Sequence, residues 1–177
     1  MCAQGTVGQL DHYLPISEFS ELGLTALNLV PACGDCNKKK LTYIPSSEKE
    51  QLIHPYFDEV EERWLYAEVN ETTPPSLRFF VTPPAAWDAI KSDRIRKHFD
   101  FFRLNGIYKS QAAEEMLNLR FSLRNMSKSK SAKKLISNHL REKADSCADV
   151  HQNSWQRATY DALADSDWYY SGGFNKI

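Results

Sequence analysis

QLDHYLPISEFSELGLTALNLVPACGDCNKKK, residues 9–40, is the stretch from which the rest of the chain can be read. Residues 6–10 (Thr-Val-Gly-Gln-Leu) alternate enough for a short strand that delivers Asp11 and His12 at its end. Tyr13 to Thr25 is loop-like, with Pro15 and Gly23, and is anchored by Leu14, Ile16, Phe19, Leu22 and Leu24. Leu27 to Val30 predicts a second strand. A turn at Pro31-Ala32-Cys33-Gly34 then leads into a helix from Asp35 to about Tyr43, before Pro45 stops it. A carboxylate beside an imidazole, a carboxamide at Asn28 and a Cys33-x-x-Cys36 pair are poor material for a core. They suit a hydrolytic metal site braced by a second, structural metal.

Composition narrows the classes around this stretch. A chain of 177 residues is enough for one domain, or for a small module with a helical extension. Its net charge of -1 rules out an electrostatic clamp over the whole chain. Any nucleic-acid contact must then come from local basic patches, a metal ion or a partner. No apolar run approaches the ~20 residues of a membrane span. The start, MCAQGTVGQLDH, has neither the basic nor the apolar region of a signal peptide. A cytoplasmic protein without membrane association is expected. In such a reducing compartment, the pair among cysteines 2, 33, 36 and 147 reads as metal-binding or redox-active.

Beyond residue 45 the pattern changes. Trp64 to Val69 and Ser76 to Thr82 alternate and flank the turn-rich Asn70-Glu-Thr-Thr-Pro-Pro75, which predicts a β-hairpin. Ile95, His98, Phe99 and Phe102 share a helical face, and Asn105-Gly106 is expected to end that helix. Ser110 can cap the next, burying Ala113, Met116, Leu117 and Phe121. Ser127 to Lys134 is a basic break, and helices over 131–150 and 154–165 follow. The aromatic tail Asp167 to Phe174 is expected to dock on the body. The predicted class is α+β, in three parts: a ββα module over 1–45, a linker and hairpin over 46–84, and a mostly helical region over 85–177.

Asp11-His12, Asn28-Leu-Val-Pro and Cys33-x-x-Cys36-Asn37 together resemble the HNH (ββα-metal) endonuclease motif, in the form with Asn at the third position. The resemblance covers about the first quarter of the chain. It implies phosphodiester hydrolysis with one hard divalent cation, Mg2+ or Mn2+. In that scheme His12 is the general base, and Asp11 and Asn37 ligate the cation. Asn28 fixes the loop carrying the base. Asp11, next to His12 on a strand, would point the opposite way unless the strand end bends.

Lys40 falls where such enzymes often place a basic residue near the phosphates, although Lys38 to Lys40 also read as a solvated helix face. His54, in His-Pro-Tyr-Phe-Asp58, reads either as a contact to the metal site or substrate, or as a turn and packing residue. Cys33 and Cys36 are expected to hold Zn2+ with Cys2, which stands where the family has the second cysteine of an earlier pair. A fourth ligand is missing from the pattern. The pattern leaves three alternatives: a native start upstream of Met1, another group that completes the site, or zinc that is weak or absent. Cys147 reads as a buried helix cysteine.

The His54 segment, the hairpin and the Trp-Tyr-Tyr-x-Gly-Gly-Phe ending are similar to a group of bacterial HNH proteins. Some of those work with an ABC-type ATPase in anti-phage defence, as in Septu-like systems and certain retrons. This implies a nuclease acting on double-stranded DNA, with the helical region as the docking surface for such an ATPase. Two rivals remain: a non-catalytic zinc-braced module that binds nucleic acid or protein, and an RNA-directed nuclease, since the metal site does not read the 2′-OH.

Overall fold

The computed structural model describes residues 1–177 and mixes α and β, with two two-stranded antiparallel sheets and a helical C-terminal region. No helix is long and apolar enough to cross a membrane. The chain divides into two compact units. One comprises residues 1–60 and 85–104, the other 61–84 and 105–177. These units are drawn differently from the segments read from sequence: the first long helix joins the N-terminal strands, and the hairpin joins the later helices.

In the first unit, β1 (Gln9–His12) pairs antiparallel with β2 (Leu29–Ala32), in a register running from Gln9 opposite Ala32 to His12 opposite Leu29. Side chains alternate along a strand. Asp11, Val30 and Ala32 therefore share the buried face, while His12 lies on the other face with Leu10 and Pro31. Helix α1 (Gly34–Lys40) follows from Cys33. It stops short of the expected Tyr43 because Leu41 takes a positive φ of 45°, a conformation that side-chain-bearing residues adopt at a cost.

The β3 (Leu65–Asn70) and β4 (Ser76–Val81) hairpin belongs to the second unit, with Tyr66 opposite Phe80. Its buried face carries Leu65, Leu77 and Phe79. The Asn153 carboxamide closes the entry to β3, accepting from the Trp64 and Leu65 N–H groups and donating to the Glu61 and Glu62 carbonyls.

Helix α2 (Ala89–Phe101), in the first unit, is capped by Asp88, which accepts from the Lys91 N–H at 2.8 Å. It buries Ile95, His98 and Phe99, with Phe102 just beyond, which is the expected face. The break comes at Arg103, whose φ is 54°, and not at Asn105-Gly106. Helix α3 (Leu104–Met126) runs straight through both residues and Ser110. The Asn105 side chain serves β4 instead, accepting from the Phe79 N–H at 2.9 Å.

The buried stripe of α3 is Tyr108, Ala112, Met116, Leu119 and Leu123. Of the residues expected inside, only Met116 is buried. Leu117 and Phe121 are 54% and 78% exposed, and Ala113 is exposed with them. Both stripes satisfy the helical period, so the choice of face belongs to the packing partner.

Helices α4 (Ala132–Val150) and α5 (Trp155–Asp165) pack on each other, followed by the short α6 (Asp167–Tyr170). Buried Asp161 on α5 takes ion pairs from Arg63, Arg141 and Arg157, so its charge enters the core fully compensated. The tail docks: Tyr169 and Phe174 are fully buried against each other.

Candidate functional site

Residues 2–40 form two arrangements in the first unit, one of thiols and one around the β1 end. The Sγ atoms of Cys2, Cys33 and Cys36 all lie within 4.8 Å of one another, a cluster that can hold a metal ion. Cys2 and Cys33 Sγ are 3.7 Å apart. That is far beyond a disulfide, and it matches the ~3.8 Å between thiolates that share a tetrahedral zinc at ~2.3 Å. The Cys2 thiol is pulled down to about 4, chiefly because the Cys36 thiol donates to it, helped by the Gly5 N–H at 3.3 Å. The same bond pushes the Cys36 thiol up. Gly5 is seated on the cluster, where a Cβ would come within 2.7 Å of Cys33 Cβ and Sγ.

His98 secures the N-terminal segment that carries Cys2. Its Nε2–H donates to the Met1 carbonyl at 2.9 Å, and its Nδ1 accepts from the Ile53 N–H at 3.1 Å. Burial holds its pKa down at about 4, consistent with a neutral ring doing both jobs. Cys147 sits on α4 in the second unit and is only half-buried, not the buried cysteine expected.

At the strand end, His12 Nε2 lies 2.9 Å from the Gly23 carbonyl oxygen. A carbonyl can only accept, so Nε2 carries a proton; Nδ1, which holds the lone pair in a neutral ring, has no hydrogen-bond partner in the protein. Gly23 is held in place by Asn28. The buried Asn28 carboxamide accepts from the Leu14 N–H at 2.7 Å and donates to the Leu14 and Leu22 carbonyls at 3.0 and 3.3 Å. Both ends of the 14–22 loop thus hang on one side chain. Nothing in the sequence singled out Gly23, because a backbone carbonyl carries no residue signature.

Asp11 faces the other way, into the protein, where the regular pairing of β1 sends it. Its carboxylate meets the Lys40 ammonium, 3.3 Å from Oδ2, while the same ammonium donates to the His12 carbonyl at 2.5 Å. Oδ2 is buried and makes no hydrogen bond, so the contact is one of charge alone. Lys38 and Lys39 are exposed, as a solvated face has them, but Lys40 is 2% exposed and lies under β1, on neither a solvated face nor a surface open to substrate. A cation already rests on Asp11, so the locus suits positive charge. Asn37 stands one turn before Lys40 on α1 and is half-buried.

His54 also departs from the expectation of a substrate contact. It is buried, its Nε2–H donates to the Leu27 carbonyl at 3.1 Å, and its Nδ1 accepts from the Tyr56 N–H at 3.2 Å. Rings of Tyr13 and Phe57 lie 4.4 and 4.5 Å away. Both nitrogens are spent inside the protein, and burial lowers the ring's pKa. Asp58 closes this turn by accepting the His54 N–H at 2.6 Å, and it is clamped by both Arg94 nitrogens at 2.7 and 2.5 Å.

The chain is 31% identical over 184 residues to Protein ea31 of Escherichia phage lambda. The match covers 95% of this chain and 62% of the relative, so the chain spans less than two thirds of the length of the curated relative it matches. No family model matches. No solved structure matches either.

Proposed function

We propose that the chain is a metal-dependent endonuclease that hydrolyses phosphodiester bonds in DNA. The carrying observation is His12, whose Nε2–H is committed to the Gly23 carbonyl while the Nδ1 lone pair is left without a partner. That is the arrangement a general base needs. Nδ1 takes the proton from the attacking water, and the Gly23 carbonyl then accepts more strongly from the imidazolium that forms. Asn28 keeps the carbonyl in place through its three bonds to the loop. Asp11 and Asn37 would hold a hard divalent cation, which when bound supplies positive charge for the developing oxyanion.

Zn2+ held by Cys2, Cys33 and Cys36 would brace the start of α1, on which Asn37 and Lys40 ride. Three thiolates leave one of the four positions of a structural zinc to another ligand. An ABC-type ATPase partner and a role in anti-phage defence rest on the resemblance of the His54–Asp58 segment, the Trp64 hairpin, the helical region and the Trp168–Phe174 ending.

The test is cleavage of plasmid DNA with Mg2+ or Mn2+ by wild type and His12→Ala, with and without an ATPase encoded beside it, and with matched RNA in parallel. Cutting that disappears with His12 supports the reading, and cutting confined to RNA transfers it to that substrate. The ion pair between Lys40 and Asp11 favours a second reading, a zinc-braced binding module without catalysis. Wild type that stays inert under every condition while zinc is bound would put that module first.

A further inference from the structure

The Lys40–Asp11 contact is unusual in its partners. A lysine with 1% of its side chain exposed is held by one carboxylate oxygen that makes no hydrogen bond to it, and by one backbone carbonyl. A structural ion pair of this depth normally satisfies its remaining donors and lone pairs with further hydrogen bonds. Here those are missing: Asp11 Oδ2 is held by charge alone. The same oxygen belongs to the residue that the proposed function assigns to a divalent cation. Two cations cannot share one buried carboxylate oxygen without strong mutual repulsion. An ammonium on a flexible four-carbon stem is the one that can leave.

We infer that Lys40 is a displaceable counter-cation, holding Asp11 when the site is free of divalent metal and surrendering it when the metal binds; this rests on the proposed nuclease reading. Two consequences follow from the geometry. The lysine spares the metal-free protein a buried, unpaired carboxylate. Once released, its ammonium is a free cation on the Asp11 face of β1, opposite the face that carries the His12 ring.

The first test is Mn2+ binding, read from the electron paramagnetic resonance signal of free Mn2+, for wild type and Lys40→Met. The isosteric variant should bind Mn2+ about tenfold more tightly or better, as removal of a competing cation requires. Equal Mn2+ affinity in the two proteins would overturn the role of Lys40 and leave the metal site standing. Absence of Mn2+ binding in both would overturn the metal-dependent reading together with it.

A second measurement uses the unaltered chain, in case Lys40→Met does not fold. Lysine-selective 1H–15N spectra should show a protected Lys40 ammonium signal in metal-free protein. That signal should vanish into fast exchange as Mg2+ shifts the Asp11 amide. A Lys40 signal that persists after the Asp11 amide has saturated would overturn the proposal. An Asp11 amide that never moves would remove the metal itself.

Discussion

Asn28→Ala is the perturbation that tests the loop clamp most directly. The carboxamide makes three hydrogen bonds to the backbone of Leu14 and Leu22, at 2.7, 3.0 and 3.3 Å, from a site that is 6% exposed. Each is worth roughly 1 kcal/mol net, and the buried groups left behind cost more than the mean when nothing replaces the partner. The expected loss is about 3 kcal/mol, read as a lower urea midpoint at constant slope. Amide exchange at Leu14 should accelerate in step, because its N–H loses the acceptor. With the loop slack, the Gly23 carbonyl no longer holds His12, so plasmid cutting should fall further than the unfolded fraction explains. Asn28→Asp sharpens the test: it keeps an acceptor for the Leu14 N–H but turns a carboxylate on two carbonyls. A loss below about 1 kcal/mol with unchanged Leu14 exchange would refute the clamp. Full cutting by a folded Asn28→Ala would refute the link from Asn28 to the base.

Three further outcomes are expected. Gly5→Ala places a methyl 2.7 Å from Cys33 Cβ and Sγ, so zinc retained after dialysis against a chelator, measured by plasma mass spectrometry, should fall at least about tenfold. Burial holds His98 at about 4 against an ordinary 6.5, so the unfolded chain takes the proton first. Its contribution is complete above pH 6.5 and is lost as pH falls through about 4, amounting to roughly 3 kcal/mol in urea melts across that window; a flat profile would count against it. His54→Ala should cost about 2–4 kcal/mol through the lost Leu27 bond and ring contacts, while cutting per folded molecule stays near wild type. A selective loss of cutting would return His54 to the substrate.

Much of the local order was legible because it is written in short-range chemistry. Alternation over residues 6–10, the apolar run Leu27 to Val30 and the stop at Pro45 announced two strands and a helix, which form within a few residues of those bounds; the turn expected over residues 31–34 is shifted, with Pro31 and Ala32 inside β2. The spacing Cys33-x-x-Cys36 predicted a thiol cluster, and the fold brings Cys2 into it from 31 residues away. Proline and the Asn70–Pro75 turn likewise marked the hairpin.

What only the tertiary structure decided are choices between faces and between partners. The period of α3 allows either Ala113, Leu117 and Phe121 or Tyr108, Ala112 and Met116 to turn inward, and the neighbouring elements took the second set. A lysine run before Leu41 looks solvated in any sequence, yet Lys40 is drawn under β1 by Asp11 and the His12 carbonyl, groups 28 and 29 residues distant. The tautomer of His12 depends on the Gly23 carbonyl, which has no letter in the sequence. Residue type states what a side chain can bond to; long-range burial decides which of those bonds it is made to form.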